Sequence, residues 1–181
     1  MFYKPIGVDT DMSPGSELLS LVSHEVDRRK YHHVGRLDRD TSGLLLFSRN
    51  GDLTFSLLNS PTLSKSYLAQ LGCSVTSLEL RKLLDGVVLA DGPAKALHAE
   101  IVSESDPQIV HLFLSPNYRA VFPINNYIRI VVCEGRNRIV RRMLASVGLP
   151  VLALHRERFG PVQLVSSARP GDLVYIEEFQ P

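Results

Sequence analysis

Between Gly35 and Ser42 the chain sets the charges of Arg36, Asp38, Arg39 and Asp40 and the hydroxyls of Thr41 and Ser42 directly ahead of an apolar run, Gly43-Leu44-Leu45-Leu46-Phe47. A stretch that polar does not fit a core, and an apolar run that short is the length of a strand rather than of a membrane span. The segment therefore predicts a polar turn that delivers charge to the start of a buried strand, Leu44 to Ser48. A carboxylate flanked by arginines stays ionised at neutral pH and is held by charge-assisted bonds. A salt-bridged surface turn shows the same residue types. Two nearby carboxylates also suit a glycoside hydrolase, which needs a defined separation between them. Asp38 and Asp40 would point the same way on a strand and apart on a turn.

The rest of the chain alternates short strands and short helices. Phe2–Val8 reads as an opening strand, Ser16–Ser23 carries leucines at helical spacing, and Tyr31–Val34 leads into the polar turn. Asn50 can cap a helix bearing Leu53, Leu57 and Leu58. Lys65–Leu71 alternates polar and apolar residues as a half-buried strand does. Thr76 and Glu79 have capping-box spacing ahead of a helix ending near Gly86. Then follow strands at Leu97–Val102, Ile109–Ser115 and Tyr127–Cys133, and a helix from about Asn137 with Ile139, Val140, Met143, Leu144 and Val147 on its apolar side. Gly148 stops that helix, and strands Val151–Phe159 and Leu173–Glu177 close the chain. Asp91–Ala96 and Ser115–Asn126 read as surface loops. Without a regular strand–helix repeat, the order predicts an α+β fold on a mixed, largely antiparallel sheet. One catalytic domain, residues 1–181, is expected, with lobes at approximately 1–64 and 65–181.

A hydrophobic fraction of 44% over 181 residues fits an ordinary globular chain. No signal peptide is expected after Met1, where Lys4, Pro5 and Asp9 interrupt any apolar stretch. Cys73 and Cys133 lie far apart with no metal-ligand spacing and read as buried thiols in a reducing compartment. The net charge of +1 hides an asymmetry. Arg28, Arg29, Lys30, Arg36 and Arg39 crowd one segment, and Arg136, Arg138, Arg141 and Arg142 another. Brought together they would make a positive face for nucleic acid; taken singly, each fits a solvated surface. The histidines show neither triad nor metal spacing.

Gly35-Arg36-Leu37-Asp38 followed by Thr41-Ser42-Gly43-Leu44-Leu45-Leu46 resembles the signature of the RsuA-like ribosomal RNA pseudouridine synthases. Tyr3-Lys4-Pro5-Ile6-Gly7 is similar to the Lys-Pro motif that opens that family's catalytic domain, and Lys65-Ser66-Tyr67 to its Lys-x-Tyr strand. Glu134-Gly135-Arg136-Asn137-Arg138 and Val140-Arg141-Arg142-Met143-Leu144 are similar to its late helix. Val147-Gly148, Leu152, Leu154, Gly160-Pro161 and Leu164 continue the match in family order over nearly the whole chain. The resemblance implies an RNA pseudouridine synthase that needs no cofactor and no metal.

It assigns catalytic roles to Asp38 as nucleophile, Tyr67 stacked on the target base, and Arg141 paired with the carboxylate. Attack on the ribose and attack on the base both fit. Arg36 would fill the gap left by a flipped uridine. Lys4, Val140, Arg138 and Arg142 join it as substrate contacts, Val140 as an apolar wall. The implied partner is RNA, ribosomal or in an assembling subunit, with no membrane; the expected state is a cytoplasmic monomer, or one in an organelle matrix in a eukaryote. A catalytically weak rRNA-binding or assembly protein is the rival reading. Two departures stand out: Ile139 replaces the family's usual Gln, and Pro170-Gly171-Asp172-Leu173 lacks its frequent Arg. The chain begins almost at its Lys-Pro motif, so the resemblance implies a member without the small N-terminal RNA-binding domain, most like the large-subunit enzymes.

Overall fold

The computed structural model describes residues 1–107, 109 and 126–176. They divide into two compact units. The first takes Met1–Leu63 and returns for the chain from Arg156 onward; the second is Ser64–His155. The sequence places everything after residue 64 in a second lobe, whereas the C-terminal stretch packs with the first unit.

In the first unit, β1 (Phe2–Lys4) and β2 (His32–Val34) both pair antiparallel with β3 (Thr41–Ser48). Lys4 stands opposite Gly43 and Phe2 opposite Leu45, while Val34 stands opposite Leu46 and His32 opposite Ser48. The strand order β1-β3-β9 sets β9 (Val151–Phe159) beside β3. Of β9, Arg156–Phe159 belongs to this unit and Val151–His155 to the other. A short β10 (Val162–Gln163) turns back antiparallel on the end of β9. Helix α1 (Glu17–Val22) starts where the Ser16 hydroxyl accepts from the Leu19 N–H, and α2 (Gly51–Asn59) where Asn50 Oδ1 accepts from the Leu53 N–H at 3.0 Å. Such caps satisfy N–H groups that have no partner inside the helix. Phe2, Leu18, Leu44, Leu45 and Phe159 form the buried interior, with the Phe2 and Phe47 rings 6.2 Å apart.

In the second unit the order is β9-β4-β8-β7, with β4 (Lys65–Leu71) paired antiparallel to β8 (Asn126–Val132), and β8 to β7 (His98–Val102). Helix α3 (Ser77–Asp85) begins with the capping box read from Thr76 and Glu79 and ends at Gly86, at φ 113°. A hairpin of β5 (Val87–Leu89) and β6 (Gly92–Ala94) follows, where the sequence suggested only a loop. Helix α4 (Ile139–Ser146) buries Ile139, Val140, Met143 and Leu144, the apolar stripe expected of it. Leu68, Val102, Ile109, Tyr127 and Ala153 pack as one cluster.

Three further expectations change. All seven residues of β4 are buried, so its alternation does not mark a wet face. Its polar members find partners inside: Lys65 Nζ donates to the Cys133 carbonyl at 2.9 Å, and Gln70 Nε2 to Tyr127 Oη at 3.3 Å. Cys73 and Cys133 are free thiols, but both are partly exposed rather than buried. Leu173 forms only an isolated bridge with Phe2 rather than starting a strand. The strand expected at Ile109–Ser115 and the loop at Ser115–Asn126 lie, apart from Ile109 and Asn126, outside the described residues. Among the described residues no helix is long and apolar enough to cross a membrane.

Candidate active site

The turn carrying Asp38 is fixed from outside by the loop after β1. Thr10 is 2% exposed, and its hydroxyl donates to the Leu37 carbonyl at 2.8 Å while accepting the Leu37 N–H at 3.1 Å. On the other side of Asp38, the Gly7 N–H donates to the Arg39 carbonyl at 2.8 Å. Across the turn, the Thr41 N–H donates to the Asp38 carbonyl at 3.0 Å. Residues before and after the carboxylate are thus pinned by main-chain bonds, which leaves side-chain geometry as the remaining freedom. The strand that follows has its own constraint. Gly43 sits at φ 112°, and a Cβ there would fall on the backbone N, C and O atoms of Arg156 in β9. Only glycine allows that approach. Arg156 is itself 2% exposed, with Nε donating to the Leu44 carbonyl at 2.9 Å and its guanidinium 5.1 Å from the Phe159 ring centre.

Asp38 is partly exposed at the head of this strand. Lys4, one of whose neighbouring charges is Asp38, has no exposed surface at all. The sequence reading makes Lys4 a substrate contact; in the structure its side chain is buried. Its ammonium donates to the Pro5 carbonyl at 2.8 Å and the Val8 carbonyl at 2.6 Å, tying down the loop that carries Gly7 and Thr10. Burial pushes the Lys4 pKa down to about 8, against the opposing pull of Asp9, Asp38, Asp40 and Glu17. Lys4 is therefore an internal cation shared among carboxylates. Arg36 is exposed, and Arg39 lies 3.8 Å from Asp9.

In the second unit, Tyr67 stands opposite Ile130 and is 8% exposed. Val140 is buried on α4, and Arg141, partly exposed, donates through Nη1 to the Val151 carbonyl at 3.3 Å. The entry to α4 is a tight loop whose N-cap, Arg138, adopts the left-handed conformation at φ 48°, the one described non-glycine residue with positive φ. A residue held there costs on the order of 1 kcal/mol or more and persists where its surroundings over-determine it. Arg136 supplies part of that bracing. It donates to Glu134 at 2.5 Å, to Asp91 Oδ1 at 2.9 Å and to the Pro93 carbonyl at 2.7 Å.

Arg142 grips the same aspartate with both nitrogens, at 2.8 and 2.9 Å, and the Arg142 bond, helped by Arg136, holds the Asp91 carboxyl below its usual pKa. The basic cluster on this helix is thus partly neutralised within its own unit, and Arg142 as it stands serves the β5–β6 hairpin. Neither Thr10 nor Asp91 was singled out in the sequence. Each acts on residues 27 to 51 positions away, beyond any local pattern. Among the described residues, no three His, Cys, Asp or Glu side chains gather as a metal site would require.

A sequence-family profile described as RNA pseudouridylate synthase matches residues 1–146. An uncharacterised RNA pseudouridine synthase of Mycobacterium bovis is 37% identical over 175 residues, covering 94% of this chain and 62% of the relative. The ribosomal large subunit pseudouridine synthase E of Vibrio vulnificus is 32% identical over 173 residues, covering 95% of this chain and 72% of that one. A crystal structure of a pseudouridylate synthase superposes with a TM-score of 0.71 at 25% identity, over 94% of this chain and 66% of the other. The chain therefore spans somewhat under two thirds of the mycobacterial relative it matches.

Proposed function

This chain belongs to the RsuA-like family of RNA pseudouridylate synthases, and from that we propose that it isomerises a uridine of structured RNA, in the large ribosomal subunit, to pseudouridine. Asp38 is the nucleophile. Its attack breaks the bond from ribose to uracil nitrogen, and the uracil is kept, turned and rejoined through carbon 5. The single observation that carries the reading is the pinned turn. Thr10 and Gly7 hold the main chain on either side of Asp38. A covalent nucleophile needs an ionised carboxylate in a fixed place, and a merely solvated turn needs neither.

On this reading the family resemblance assigns Tyr67 to the target base and Arg141 to the catalytic carboxylate. Arg36 takes the place of the extruded uridine, since a stacked base cannot react. The large-subunit assignment rests on the name carried by the Vibrio relative.

The test is to map pseudouridines in ribosomal RNA from cells carrying the wild-type protein, no protein, or Asp38→Asn. One position should lose its pseudouridine in the second and third cases. Loss of a covalent nucleophile removes many orders of magnitude of rate, so an Asn variant that keeps more than about a hundredth of wild-type turnover would contradict the assignment.

A further inference from the structure

One large feature of the first unit plays no part in the site above. A hollow of about 410 Å³ opens beside the far end of β3, closed on other sides by α2 and by the chain from Leu173 to Ile176. Its floor is apolar, built by Val34, Leu46, Leu53 and Leu57. Its rim is not. Tyr31, Arg49, Tyr175 and Glu25 surround the opening. The Arg49 guanidinium lies 4.4 Å from the Tyr31 ring centre, and the two phenol oxygens of Tyr31 and Tyr175 are 3.4 Å apart. Tyr175 is 72% exposed, an unusual place for a large ring without a task. The turn that delivers Tyr31 carries Arg28, Arg29 and Lys30, all exposed. None of these cations, nor Arg49, forms an ion pair among the described residues, unlike Arg136 and Arg142.

We propose that this hollow is a second RNA contact, which takes an unpaired nucleotide of the substrate other than the reacting uridine. The inference rests on the reading of the chain as an RNA-modifying enzyme. Aromatic platforms beside unpaired cations are how proteins hold single-stranded nucleic acid: bases stack on the rings and phosphates meet the lysines and arginines. Here the base lies over the apolar floor against Tyr175 and the flat Arg49 guanidinium. The backbone runs outward along Arg28, Arg29 and Lys30. Glu25 sets the polarity of the arrangement, because its carboxylate repels phosphate and accepts from a base amino or imino group. An apolar protein segment would also fill the floor, but it would leave Arg28, Arg29, Lys30 and Arg49 without a counter-charge among the described residues. The distance suits a separate contact. From Thr41, just after the Asp38 turn, to Leu46 at the hollow, β3 covers about 17 Å at the usual rise per residue.

The experiment measures affinity for a large-subunit rRNA transcript with Tyr175→Ala, Arg49→Ala and Tyr175→Phe. Tyr175→Ala and Arg49→Ala should each weaken binding about tenfold, and Tyr175→Phe, which keeps the ring, should stay near wild type. The transcript carrying 4-thiouridine should also cross-link to the peptide holding Tyr31 or Tyr175. Melting temperatures check that the variants fold, and the exposure of Tyr175 makes its truncation safe. If the wild type makes pseudouridine while both Ala variants bind as tightly as it does, the inference is overturned and the hollow belongs to a protein segment. If Tyr175→Ala weakens binding but the wild type makes no pseudouridine, the RNA surface stands and the catalytic reading fails.

Discussion

The two arginine-rich segments look alike in sequence and are put to different uses. In the first unit the charged turn is held through the main chain, by Thr10 and Gly7, so that the side chains of Arg36 and Arg39 reach the surface. In the second the segment before and along α4 is held through its side chains. There Arg136 and Arg142 converge on Asp91. A main-chain clamp leaves charge available for a substrate, whereas a side-chain clamp consumes it. Density of Lys and Arg along a sequence is therefore a poor measure of binding surface until the acidic partners are known.

The sharpest way to break this contrast is Gly43→Ala. A methyl group there meets the Arg156 backbone at a φ that disfavours any side chain, so the variant should lose more than about 4 kcal/mol of stability or fail to fold. Denaturant titration of the soluble fraction checks it. A loss under about 1 kcal/mol would mean that β9 can move away from β3, and that the turn is not rigidly seated.

Lys4 comes next. Its folded pKa, about 8, lies below the ordinary lysine value of 10.5. The unfolded chain therefore holds the proton more tightly between those values, and stability rises with pH across that window. Below about pH 8 the buried charge is a full cost. Between pH 8 and 10 the wild type should gain on the order of 2 kcal/mol relative to Lys4→Met, measured by urea unfolding at each pH. A flat difference would place the ammonium in water.

Thr10→Val removes both bonds to Leu37 and strands two buried main-chain groups, at about 2 kcal/mol. If the clamp positions Asp38, turnover should fall while RNA affinity holds, and Thr10→Ser should restore both bonds and most of the rate. Equal losses in turnover and affinity would reduce Thr10 to a packing residue. The smallest effect is expected for Asp91→Ala. Its exposed ion pairs add little to stability, so the melting temperature should barely change. RNA affinity at low salt should rise as Arg142 is released. A large drop in melting temperature would show that the hairpin depends on this aspartate.

These contrasts also mark where the sequence was informative. Helices α2 and α3 were legible because their caps, Asn50 and the Thr76–Glu79 pair, are local signals. The ends of β4 and β9 came from continuous patterns bounded by turn residues. The burial of β4 was misread, because alternation implies a wet face only when the polar residues lack internal partners, and Lys65 and Gln70 have them. The β5–β6 hairpin was missed because Gly92 and Pro93 read as loop residues. The turn that carries Asp38 could be placed from its motif. The burial of Lys4 could not, since it depends on which chain segments fold over it. The chain's return to its first unit is likewise invisible locally, being a matter of long-range pairing.

That return has a consequence for biosynthesis. As the polypeptide leaves the ribosome, β3 meets β1 and β2 early, but its neighbour β9 emerges only after all of Ser64–His155 has been made. Until then an apolar strand waits with an unpaired edge, a template for mispairing with another nascent chain. The second unit, by contrast, is contiguous and can condense as soon as its last strand clears the exit tunnel. Vectorial synthesis thus makes the unit that carries Asp38 the last to be completed.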